Sequence, residues 1–139
     1  LNDVAGFSKK LSNDSIIRFN GWNGFVSKPA WEICGNITTD ARAVLEQINK
    51  KFIAVPDVPG MISARVISMI INEAYFALEE KVSSKTDIDT AMKLGTNYPY
   101  GPFEWCELIG KENVYQLLST LAETNPVYTP APLLKKELN

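Results

Sequence analysis

The sequence predicts a mostly helical protein with an α/β remnant at its N-terminal end. Three observations carry that reading. Short strand-like runs occur only before Pro56; residues 61–81 carry apolar side chains at helical spacing; and residues 84–121 alternate helix-start and helix-stop chemistry. With 139 residues, the chain suits one ordinary domain or one small domain plus a piece of another. A hydrophobic content of 45% is that of an ordered, globular protein.

The elements follow in order. Residues 3–11 read as a short helix with Val4, Phe7 and Leu11 on one side. A strand is expected over residues 16–19, then turn chemistry from Asn20 to Phe25, then a second strand over residues 31–34. Thr38 or Thr39 should cap a helix that runs to Lys51, with Val44, Leu45 and Ile48 facing inward and a basic end that suits the helix dipole. A short apolar strand follows at residues 52–55, bounded by Pro56. This order is that of the closing part of an α/β sheet.

After Pro59-Gly60 the character changes. Residues 61–81 form one long helix with two apolar stripes, Val66, Ile70, Ala74 and Leu78 on one and Ile67, Ile71 and Tyr75 on the other. Arg65, Asn72 and Glu73 interrupt the run and argue against a membrane span. Ser84 with Asp87 forms a capping box for the next helix, which Gly95 should end. Pro102 opens a third helix that closes at Gly110, and Val114, Leu117, Leu118 and Leu121 mark a fourth. The tail from Asn125, with three prolines, should lie extended over the bundle.

Composition excludes several classes of function. The formal charge is −2, and the basic residues occur as separated pairs, so the concentrated basic face of a nucleic-acid binder is missing. Cys34 and Cys106 sit among apolar or aromatic neighbours and suggest buried free thiols in a cytoplasmic protein, not a disulfide framework or a metal site. No signal peptide is visible, and position 1 is Leu, so the chain is expected to be an excised or processed fragment of a longer protein.

The residues also carry a family likeness. The run from Val55 to Arg65, VPDVPGMISAR, resembles the segment that opens the C-terminal helical domain of 3-hydroxyacyl-CoA dehydrogenases. The Glu73-Ala74 pair, the Asp87-Ile88-Asp89 box and the Pro99-Tyr100-Gly101-Pro102-Phe103-Glu104 shelf follow in the family's order, and residues 130–135 resemble its closing segment. Upstream, residues 18–23 (RFNGWN) resemble the strand that carries the family's catalytic histidine, and Glu32 falls where its partner carboxylate is expected. The resemblance implies residues 1–56 as the end of a dinucleotide-binding domain and residues 57–139 as a helical dimerisation and substrate-cleft domain. It further implies NAD-dependent interconversion of 3-hydroxyacyl-CoA and 3-ketoacyl-CoA, an acyl-CoA substrate and a homodimer.

The chain departs from that pattern in its chemistry. It contains no histidine, and Asn23 stands where the histidine is expected. A base for this reaction must titrate near neutral pH, which imidazole does and an amide does not. Glu32 remains as a catalytic candidate with Asn23. Ala64 takes the place of a substrate-contacting asparagine. No G-x-G-x-x-G follows any strand, so NAD belongs to the full-length parent and no cofactor is expected in this fragment. Three readings stay open: a working dehydrogenase with an unusual proton-transfer group, an inactive homologue that binds acyl-CoA, and a module of assembly. Arg65 could meet a CoA phosphate or pair with Asp57 or another nearby carboxylate; Trp22 and Trp31 could line a pocket or the core.

Overall fold

The computed structural model describes residues 4–6 and 16–138. The helix expected over residues 3–11 lies mostly outside the described residues. The chain divides into two compact units, an N-terminal one up to Arg65 and a helical one from Val66.

The N-terminal unit is built on a three-stranded sheet in the order β1 (Ile17–Phe19), β2 (Ala30–Gly35), β3 (Lys51–Ala54). β1 runs antiparallel to β2, with Ile17 opposite Gly35 and Phe19 opposite Ile33. β3 runs parallel to β2, with Glu32 opposite Ile53, and the crossover between them is α1 (Thr39–Gln47). Gly35 is required at the end of β2: its φ is +103°, and a Cβ there would lie 2.7 Å from the Ile16 carbonyl oxygen. Thr38 caps α1 by accepting the Ala41 N–H at 3.2 Å.

Helix α1 is shorter than its periodicity predicts. Asn49 takes a left-handed conformation (φ 53°) and donates its N–H to the Glu46 carbonyl, ending the helix before the lysines. The last turn therefore has no basic residue. Of the three residues expected inward, only Leu45 is buried, while Val44 and Ile48 are 56% and 49% exposed.

What holds this unit is partly electrostatic. Arg18, on β1 and fully buried, forms an ion pair with Asp57 and donates to the Val4 carbonyl. Asp57 is therefore the partner of Arg18, not of Arg65, whose guanidinium donates to the Pro59 carbonyl at 3.3 Å. Cys34 is buried close to this pair, and burial, only partly offset by Arg18, pushes its thiol up to about 11. Both cysteines are free and buried.

The long helix, α2 (Ser63–Glu79), continues into the helical unit. Its buried face is the stripe of Ile67, Ile71 and Tyr75, joined by Ala74, while Val66 of the other stripe is 48% exposed. α3 (Lys85–Thr96) begins at the Ser84 cap, which accepts the Asp87 N–H at 3.2 Å. It runs past Gly95 and ends at Asn97 in the left-handed region (φ 55°), a conformation asparagine tolerates. α4 (Pro102–Ile109) starts at Pro102 and closes at Gly110, and α5 (Lys111–Ala122) buries Val114, Leu117, Leu118 and Leu121.

The C-terminal segment is not simply extended. Asn125 accepts the Val127 N–H and starts a 3-10 turn over Pro126–Tyr128, and α6 (Pro132–Lys136) follows with Pro132 at its first position. The reason is local: each proline pre-sets the backbone for a helical first turn as readily as for an extended strap.

Candidate active site

Glu32 projects from β2, and its carboxylate closes the N-terminus of α2. It accepts the Ser63 N–H at 3.0 and 3.1 Å, the Ile62 N–H at 3.4 Å and the Ser63 hydroxyl at 2.8 Å. Free N–H groups at a helix start favour a carboxylate, so this placement follows from helix chemistry alone. The Ser63 hydroxyl also accepts from Asn20 Nδ2 at 3.2 Å. Asn20 is 3% exposed and its Oδ1 accepts the Trp22 N–H at 3.2 Å, which fixes the amide's orientation. The site is therefore a chain of hydrogen bonds running Asn20, Ser63, Glu32, contained within the N-terminal unit.

The residues expected from sequence fall around this chain in different ways. Glu32 is its terminus. Asn23 lies in the turn after β1, with an exposed side chain. Ala64 is fully buried, so its methyl group packs and presents no open surface. Trp22 is buried and belongs to packing, whereas Trp31, stacked on Phe19 with ring centroids 4.7 Å apart, lines an open pocket between the sheet and α1. Asn20 and Ser63 were not singled out by sequence reasoning. A serine at the first position of a helix after Gly60 is the signal that could have found Ser63; for Asn20 only the Asn-Gly turn was visible.

The shelf between α3 and α4 is fixed by contacts that its composition does not reveal. Asp89 of α3 is buried and accepts the N–H groups of Phe103 at 2.8 Å and Glu104 at 3.3 Å, so one helix caps the next. Gly101 passes so close that a Cβ there would lie 2.4 Å from Asp89 Cα, Cβ and Oδ1. Glu104 accepts the Gly101 N–H at 2.9 Å and pairs with Lys93 at 2.6 Å; the Lys93 hydrogen bond, then that of Gly101, holds its carboxyl below the usual range. Tyr100 meets Trp105 edge-on, with centroids 4.9 Å apart.

A nicotinamide dinucleotide does not fit the residues present. Among the described residues, the one crossover between parallel strands enters its helix through Gly35-Asn36-Ile37-Thr38-Thr39-Asp40. That turn lacks the glycines that let a pyrophosphate approach, and Asp40 in the first turn of α1 would repel it.

The chain is thus a small sheet followed by a helical unit with a capped shelf. The model of the 3-hydroxyacyl-CoA dehydrogenase C-terminal domain matches residues 60–139, and the chain belongs to that family. A 3-hydroxyadipyl-CoA dehydrogenase of Escherichia coli (strain K12) is 43% identical over 101 residues, 71% of this chain and 21% of that protein. A 3-hydroxybutyryl-CoA dehydrogenase of Clostridioides difficile is 36% identical over 98% of this chain and 50% of its own length. Among solved structures, a 3-hydroxybutyryl-CoA dehydrogenase from Escherichia coli K12 matches with a TM-score of 0.83 at 30% identity, covering 99% of this chain and 30% of that one. The chain thus spans half or less of the curated relatives it matches here.

Proposed function

We propose that the chain is the C-terminal portion of a 3-hydroxyacyl-CoA dehydrogenase-like protein that keeps the carboxylate frame of the active site and has an amide in place of the base. In this reading residues 1–56 end a dinucleotide-binding domain and residues 57–139 form the helical dimerisation and substrate domain. The full-length parent interconverts 3-hydroxyacyl-CoA and 3-ketoacyl-CoA with NAD in the cytoplasm. The observation that supports it most is the hydrogen-bonded chain from Asn20 through Ser63 to Glu32. Among the described residues Asn20 shares that carboxylate's network through Ser63, while Asn23 stands in the histidine's place by resemblance. Asn23, exposed in the turn after β1, remains the replacement for the histidine that the resemblance implies, and Asn20 is a second candidate position.

An amide can donate to a substrate oxygen and hold it, but it cannot remove the hydroxyl proton. Proton transfer would fall to Glu32 or to a water held against it. The absence of histidine supports the alternative, a homologue that binds acyl-CoA or dimerises without turnover. For dimerisation the helical unit offers an apolar cavity of about 370 Å³, lined by Met69, Ile70, Ala74, Ala77, Ile88 and Met92.

The test is NADH consumption with acetoacetyl-CoA by the full-length protein and its Asn20→His, Asn23→His and Glu32→Gln variants. Turnover in the wild type that Glu32→Gln abolishes would make Glu32 the base. Turnover only in Asn20→His would show a retained frame that lacks its base. If every form is inactive and acyl-CoA still binds, the binding-module reading stands and the dehydrogenase reading is overturned.

A further inference from the structure

The C-terminal segment of the helical unit is held at its two ends by opposite chemistry. At the first end Asn72, fully buried on α2, donates to the Thr129 carbonyl at 2.9 Å and accepts the Ala131 N–H at 2.8 Å. Ala131 is also fully buried, so this end is neutral and its Ala131–Asn72 bond is buried, while Thr129 itself is exposed. At the second end Glu137, just past α6, is ionic and partly exposed. It accepts from Lys85 of α3 at 2.7 and 2.9 Å, pairs with Lys111 of α5 at 3.1 Å and accepts from the Tyr75 hydroxyl of α2 at 3.0 Å. Glu107 of α4 shares Lys111, and Cys106 of α4 lies 4.0 Å from the Tyr75 hydroxyl. Between the two ends, Glu79 accepts the Leu133 N–H and Leu134 is fully buried.

We infer that residues 129–138 form a strap that opens from its ionic end while the Asn72 end acts as the hinge. The two ends respond to different perturbations. Breaking the Asn72 bonds strands buried polar groups, and salt does not screen them. The Glu137 bonds go to lysines with side chains 40% and 24% exposed, and such pairs weaken as ionic strength rises. Opening the ionic end uncovers the Tyr75 hydroxyl and, behind it, the Cys106 thiol. Burial pushes that thiol up to about 11, so in the closed state it is protonated and shielded. It reports on the strap without being a site itself.

The experiment is hydrogen exchange on the full chain with maleimide labelling of the cysteines, in wild type and Glu137→Gln. The Glu137 and Leu138 amides, bonded to the Leu133 and Lys135 carbonyls, should exchange about tenfold faster in Glu137→Gln. The Ala131 amide should keep its protection, and labelling of Cys106 should rise while that of Cys34 does not. Raising salt to about 1 M in the wild type should move the same amides in the same direction, with no dependence on a variant's folding. Equal acceleration at Ala131 and Glu137 would overturn the hinge. Unchanged exchange at Glu137 and Leu138 in both arms would overturn the ionic lock.

Discussion

The two units close their interiors by different means. In the helical unit one apolar stripe of each long helix carries the core: Ile71, Tyr75, Leu117, Leu118 and Leu134 are all fully buried, while Val66 of the second stripe is 48% exposed. Its polar side chains serve neighbouring backbone, with Asp89 on the start of α4 and Asn72 on the C-terminal strap. In the N-terminal unit Val44, Ile48 and Ile53 stay exposed, and the largest fully buried side chain is a charged one, Arg18. One helix cannot cover both faces of a three-stranded sheet. A contiguous run of helices supplies its own partners; a sheet takes them from wherever the chain provides them.

The substitution expected to break the helical unit most severely is Gly101→Ala. The added methyl would collide with Asp89 backbone and side chain at once, and the loss should be about 3 kcal/mol or more in urea unfolding followed by Trp105 fluorescence. The counterpart in the N-terminal unit is Arg18→Met, which strands Asp57 beside the core. It should cost about 3 kcal/mol, read through Trp22 and Trp31, the tryptophans of that unit. If both changes move all three tryptophans together, the units unfold as one and the contrast is blunted.

A smaller effect separates the units by pH. Partial burial raises the Glu137 carboxyl, but the bonds from Lys85, Lys111 and Tyr75 outweigh it, and the net direction is down. A depressed carboxylate contributes stability above its unfolded pKa and loses it as pH falls through the folded one. Tyr75 and Lys111, both raised, lose their contributions only on the alkaline side. Protection of the strap should therefore hold from about pH 8 to 5 and fall only below the usual carboxylate range, and Glu137→Gln should remove that acid step. Smallest of all, Val44→Ser on the exposed side of α1 should stay within about 0.5 kcal/mol of the wild type.

Much of the fold was legible because helix signals are local. Ser84, Pro102 and Gly110 mark boundaries by their own backbone chemistry, and the structure uses all three. Gly95 misled because Asn97, two residues on, satisfies the left-handed position equally well. The inward faces of α1 were misjudged because burial there depends on what covers the sheet, which periodicity does not encode. The site was less legible still. Glu32 was visible from its likeness to a family position, whereas Asn20 and Ser63 matter through hydrogen bonds that span 43 and 31 residues of sequence. Such pairings have no local signature.

The claim that most needs a direct test is that position 20, and not position 23, shares the Glu32 network. Because the chain has no histidine, a single introduced imidazole can be followed alone by NMR. The titration midpoints of Asn20→His and Asn23→His would be measured with Glu32 present and with Glu32→Gln, so that burial cancels within each pair. A nearby carboxylate raises a histidine, so loss of its charge should lower the midpoint at position 20 by about 1 pH unit and leave position 23 near its ordinary value. An unchanged midpoint at position 20, or a fall at position 23 instead, would contradict it.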